Sequence, residues 1–150
     1  MPKILHPIAG AIAFFTIATF WLSTVTVELL GTQQQITTVK SAISWGLLIL
    51  VPAMICVGGS GFFLAGKRRG GVLGAKARRM PIIAANGVLV LVPAALFLAF
   101  KARIGEFDTI FYTVQVVELA AGATNLTLMG FSMRDGLRLT GRFRRRETRA

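Results

Sequence analysis

Six residues spaced three or four apart, Tyr112, Gln115, Glu118, Gly122, Asn125 and Met129, share one face of a helix. The other faces of this stretch are Val, Leu, Ala and Phe. A carboxylic acid and two carboxamides are costly in lipid, so they are expected to face other protein or a cavity. Desolvation disfavours the charged form of a carboxyl, which suits Glu118 to carrying a proton or recognising a cation. Asn86 adds an amide from an earlier apolar stretch. Tyr112, Gln115, Glu118, Asn125 and Asn86 are therefore the candidate buried polar or transport site. Packing glue is the plainer reading, in which these groups only bond helices together.

A second constellation points to redox chemistry. His6, Met80, Met129 and Met133 are expected at one membrane boundary on three different helices. A His/Met pair is an established axial set for haem iron. Arg78, Arg79 and Arg134 fall at the same level and suit the pairing of haem propionates. His6 is thus a metal ligand only as a ligand to haem b. The chain has one His, so a second histidine ligand would come from a partner or a second copy. Soluble-enzyme sets are missing: there is no HExxH, no Gly-x-Ser-x-Gly and no material for a Ser-His-Asp triad. No catalytic activity of its own is expected.

The elements that position these residues are apolar. Hydrophobic residues make up 54% of the chain and charged ones only 15%, against about 25% in soluble domains. Mean hydropathy is +0.67. Four stretches, near 7–30, 41–65, 81–100 and 109–131, approach or exceed the roughly 20 residues a spanning helix needs. Pro7 suits a first helical turn, Glu28 closes the first helix, and Gly31 to Lys40 reads as an outer loop. Thr16, Thr19, Ser23 and Thr26 form a polar seam expected to partner the Gln115–Asn125 stripe. Trp21 reads as a packing residue and Trp45 as an interfacial anchor. Pro52 and Pro93 predict a kink and a locally widened bundle. The short echo between Gly46–Ala53 and Gly87–Ala94 would suit an inverted repeat. Gly58, Gly59, Ser60 and Gly61 predict close helix packing. The single cysteine, Cys56, permits no intrachain disulfide and reads as a small packing residue. The first apolar run is too long for a signal-peptide core and is expected to be kept as a helix.

Charge fixes the expected orientation. The formal charge is +11. Lys3, the cluster Lys67, Arg68, Arg69, Lys76, Arg78 and Arg79, and the tail residues Arg134, Arg138, Arg142, Arg144, Arg145, Arg146 and Arg149 lie on one predicted side. Only Lys40, Lys101 and Arg103 lie on the other. The positive-inside rule then puts both termini and the middle connection in the cytoplasm. The basic tail, 134–150, reads as an amphipathic arginine-rich end that meets anionic lipid, with Leu137, Leu139 and Phe143 in the interface. Nucleic acid is not an expected partner, because no aromatic or motif support accompanies the charge.

The sequence therefore predicts an all-α membrane protein over 1–150, a single domain of four antiparallel transmembrane helices forming a bundle with short loops. Its expected place is the inner membrane, as a homo-oligomer or a subunit of a larger membrane complex. Three functions follow. The most specific is a b-type haem- or quinone-linked electron-transfer or anchor subunit. The others are a small proton-coupled transporter or channel using Glu118, and an accessory or scaffolding subunit.

Overall fold

The computed structural model describes residues 2–65 and 71–139, with side chains over 6–59 and 79–136. The connection 66–70, the surroundings of Ser60, Gly61 and Arg78, and the arginine-rich tail beyond Leu139 lie outside the described residues. Helices α1 (Pro2–Leu30), α2 (Gln33–Ala65), α3 (Gly71–Asn86), α4 (Val92–Arg103) and α5 (Thr109–Leu139) make up nearly all of the chain. A π-helical turn, Gly87–Leu91, joins α3 to α4 without a break. Four rods result, each with a stretch long and apolar enough to cross a membrane: His6–Leu30, Gln33–Gly59, Arg79–Arg103 and Thr109–Gly136.

The first turn is far tighter than the expected loop, and the reason is local. Thr32 N–H donates to Gln35 Oε1 at 2.8 Å, and Gln35 N–H donates to Thr32 Oγ1 at 3.4 Å. This reciprocal capping box starts α2 at Gln33, so only Gly31 and Thr32 are left outside a helix. Lys40, expected in the loop, instead rides about 10 Å along α2 from its first residue.

The second turn is built just as locally. Glu106 N–H donates to Lys101 O and Gly105 N–H to Ala102 O, the paired bonds of a Schellman end. Gly105 takes φ +74°, which only glycine adopts cheaply. Asp108 then caps α5, accepting Phe111 N–H at 2.9 Å. Lys101 Nζ donates to the other carboxyl oxygen at 2.6 Å. The two turns pack together through Ile36, Leu98, Ala102 and Phe111, and Thr37 Oγ1 donates to Ala102 O.

Pro93 is the second residue after the π turn. Its missing N–H and bulky ring cannot be housed in a regular α ladder, and the wider turn, in which Val92 N–H reaches Gly87 O, absorbs the mismatch. Pro52, by contrast, faces outward within an uninterrupted α2.

Several expected packing roles move. Gly58 and Gly59 have nothing within 4 Å of a built Cβ. Close approach occurs instead at Gly46, where a Cβ would collide with the Phe20 ring, and at Gly122, where it would lie 2.9 Å from the Trp21 ring. Thr19 and Thr26 are exposed and donate to carbonyls of their own helix, Phe15 O and Leu22 O. These two members of the seam therefore do not partner the α5 stripe, because each of the two hydroxyls finds its acceptor one turn back. Cys56 is exposed rather than packed inside.

Two predictions follow from these contacts. Gly46→Ala overpacks the α1–α2 contact and should cost about 1–3 kcal/mol in reversible detergent unfolding, whereas Gly59→Ala should not lower stability. Equal effects would show that α1 and α2 do not meet at Gly46. The hydrogen bonds from Lys101 and from Phe111 N–H hold the Asp108 carboxyl below its ordinary value of 3.8. Stability from this group is thus present above that value and is lost as pH falls through the lower folded one. Relative to Asp108→Asn, the wild type should be more stable near neutrality, with the difference vanishing well below about pH 4. A difference independent of pH would contradict the ion pair.

Candidate functional site

The buried centre forms where α1, α2 and α5 meet, below the Gly31–Thr32 turn. Lys40 Nζ donates to Glu118 Oε2 at 2.6 Å, with the lysine side chain 0% and the glutamate side chain 12% exposed. Gln115, one turn before Glu118 and 3% exposed, donates its Nε2 to the same oxygen at 3.1 Å. Glu28, in the last turn of α1, lies within the electrostatic field of both Lys40 and Glu118. One acid, one ammonium and one amide are thus in direct contact, with Glu28 near enough to feel both charges. Two acceptors among these residues, Glu28 Oε1 and Gln115 Oε1, are buried without a donor.

Glu118 also borders a cavity of about 50 Å³, walled by Thr24 and by apolar and aromatic side chains including Phe20, Trp21, Leu47 and Leu91. That space holds a few waters at most. The Trp21 indole N–H is satisfied by Leu119 O at 2.9 Å, which fixes the ring as one wall.

A second polar node ties α3 to α5. Asn86 Nδ2 donates to Ala121 O and to Asn125 Oδ1, both at 2.9 Å. Asn125 Nδ2 donates to Ile83 O at 3.3 Å. The node sits where the helical ladder changes to the π turn, and Asn125 is fully buried there. Far from the turns, Arg79 Nη1 pairs with Asp135 Oδ2 at 2.7 Å. The Arg79 and Arg134 guanidinium groups each lie 5.5 Å from the centre of the Phe131 ring.

The predicted α5 face is observed in part. Gln115, Gly122, Asn125 and Met129 are buried and Glu118 nearly so, but Tyr112 is 46% exposed. Phe111 takes the inward place at that level, since the 100° step per residue favours it once α5 is phased by its deeper amides. Asn86 joins Asn125 as part of one network, whereas Gln115 and Glu118 belong to the other. Among the redox candidates, Met129 is packed in the hydrophobic cluster with Ala13, Ile17 and Leu50. Met133 is exposed, and Met80 and His6 are partly buried. Arg79 and Arg134 are brought together, around Asp135 and Phe131. Among the described residues no group of three His, Cys, Asp or Glu side chains gathers as a metal-ligand set.

Lys40, Glu28 and Asp135 are the participants that the spacing argument misses. Lys40 reads as a loop residue by its polar surroundings, although Thr32-x-x-Gln35 is a readable helix start that places it on α2. Comparisons with protein-family models, with curated proteins and with solved structures give no match for this chain.

The amide node yields a prediction. Asn125→Leu should destabilise the protein by about 0.6–1.7 kcal/mol, the range for interhelical hydrogen bonds in membranes. Asn86→Leu combined with it should cost less than the sum of the two single changes, because both partners leave together. Strictly additive losses in detergent unfolding would contradict a shared network.

Proposed function

We propose that this chain is a small proton-coupled transporter of the inner membrane, made of four antiparallel transmembrane helices with both termini cytoplasmic. One observation carries the reading: a fully buried lysine paired to Glu118, beside a second acid and a cavity, inside an apolar bundle. Charges inside membrane segments are costly, and they mark ion or substrate pathways by default. A purely structural role needs only a neutral polar contact, which the Asn86–Asn125 node already supplies.

Orientation rests on the positive-inside rule. Two of the three basic residues at the turn end, Lys40 and Lys101, are internally paired to acids. The two-residue turn between α1 and α2, with the α4–α5 turn packed against it, suits an antiparallel bundle. Four outward faces rich in large apolar side chains, Phe15, Leu48, Leu89 and Val116 among them, suit contact with acyl chains.

The haem- or quinone-linked reading has less support. Met129 has an apolar packing role, and Arg79 and Arg134 surround Asp135 and Phe131. A Soret band on the purified protein, lost in His6→Ala, would restore it.

Proton flux into pyranine-loaded liposomes tests the transport reading. Protein-dependent flux under an imposed pH gradient is expected to fall at least tenfold in Glu118→Gln, with Gly59→Ala unchanged. Flux that survives Glu118→Gln removes the carboxylate-centred mechanism.

A further inference from the structure

Charge balance around Lys40 leaves one negative charge unmet. Lys40 from α2 is committed to Glu118 at 2.6 Å. Glu28 from α1 shares the field of that pair. From α4, Lys101 is held by Asp108 and Glu106, and the Arg103 Nε–H donates to Ser41 Oγ. With both acids ionised, the Glu28–Lys40–Glu118 set carries a net charge of −1 in surroundings of low dielectric, where an unbalanced charge is expensive.

The hydrogen-bond count fails in residues of the same set and with the same sign. Glu28 Oε1 and Gln115 Oε1 are both acceptors, both buried and both without a donor. Gln115 is only 3% exposed, and its Nε2 is already spent on Glu118. Rotating the amide would bring its oxygen against the carboxylate, so the oxygen is confined to the side away from Glu118. Orphaned buried oxygens are rare in folded proteins and call for a donor or a cation. A water would satisfy the oxygens and leave the charge. A monovalent cation satisfies both.

We infer that Glu28 and the Gln115 carbonyl oxygen seat one exchangeable monovalent cation, a proton or an alkali-metal ion, beside the Lys40–Glu118 pair. Glu28 is then the carrying group, and Lys40 keeps Glu118 occupied as a fixed counter-charge. Position agrees with that division. Glu28 is two residues from the end of α1 and only partly buried, so it can be reached from the turn end. Glu118 lies deeper, on the cavity wall. This inference rests on the transport reading for the use of the site, although the site would exist without it.

The test uses full-length protein in nanodiscs, with no transport assay. Infrared difference spectra across a pH titration report a protonated carboxyl, and titration with NaCl or LiCl against choline chloride reports displacement of that proton. One occupant per chain is expected, as a carboxylic acid band or as bound alkali ion. Loss of the band on adding alkali ion identifies the metal as occupant, and insensitivity identifies the proton. Glu28→Gln should abolish the signal in a protein that keeps its thermal midpoint, because the change removes the excess charge. Gln115→Leu should weaken binding at least tenfold. A signal that persists in Glu28→Gln overturns the assignment, as does a wild type that shows neither band nor bound ion, which would mean a structural water only. The wild-type result decides even if a variant fails to fold. Occupancy without proton flux in liposomes would remove the transport reading and leave the cation site intact.

Discussion

A lysine ammonium wholly withdrawn from solvent must be met by an opposite charge, and the arrangement of this molecule follows from how Lys40 is met by Glu118. The pair joins α2 to α5, helices far apart in sequence, at a depth neither could reach alone. Lys40 contributes reach through its four-carbon stem, and Glu118 stands about 13 Å into α5. Removing one partner from such a pair leaves the other charged and buried, at a cost of roughly 3–5 kcal/mol. Correct seating of α2 against α5 is therefore strongly favoured over any slipped alternative. A shift of α2 by one residue would rotate Lys40 by about 100° and leave Glu118 without its cation.

Other polar groups complete that alignment from different directions. Trp21 ties α1 to the Leu119 carbonyl, one residue past Glu118. Asn86 and Asn125 fix α3 against α5 about two turns further along. Arg79 and Asp135 close the far end of the same two rods. Polar fasteners thus recur along α5, while apolar burial between them comes from residues such as Ile43, Leu47, Leu98 and Phe111. In lipid, where apolar surface gives little preference for one helix neighbour over another, such bonds and close backbone contacts set the packing. Gly46 and Gly122 provide the latter by letting the Phe20 and Trp21 rings come close to helix backbones.

Much of this was readable in the residues. Four apolar stretches of spanning length follow from composition alone, and the inward phase of Gln115, Glu118, Gly122, Asn125 and Met129 follows from the high cost of polar groups in lipid. Tyr112 broke the pattern because a tyrosine tolerates an exposed, amphipathic position, so its spacing carried little information. Lys40 escaped for a different reason. Polarity places a lysine shortly after three glutamines in a loop, whereas the Thr32–Gln35 capping box starts a helix there. Its partner could not be named from sequence, since nothing local to Lys40 points across to position 118. The Gly58–Gly59 pair misled in the opposite way: small residues permit close packing without requiring it. The π turn at Gly87–Leu91 had its signal in Pro93, which excludes a regular ladder but does not dictate which irregularity replaces it.

The most direct measurement is a double-mutant cycle between the two charged partners, using Lys40→Met, Glu118→Gln and the pair together, followed by reversible unfolding in mixed detergent micelles. A buried pair requires each single change to be severe and the double change to cost less than their sum, with a coupling of about 1–3 kcal/mol. Additive losses would mean that Lys40 and Glu118 do not meet inside the protein, and the proposed cation seat would lose its foundation with them.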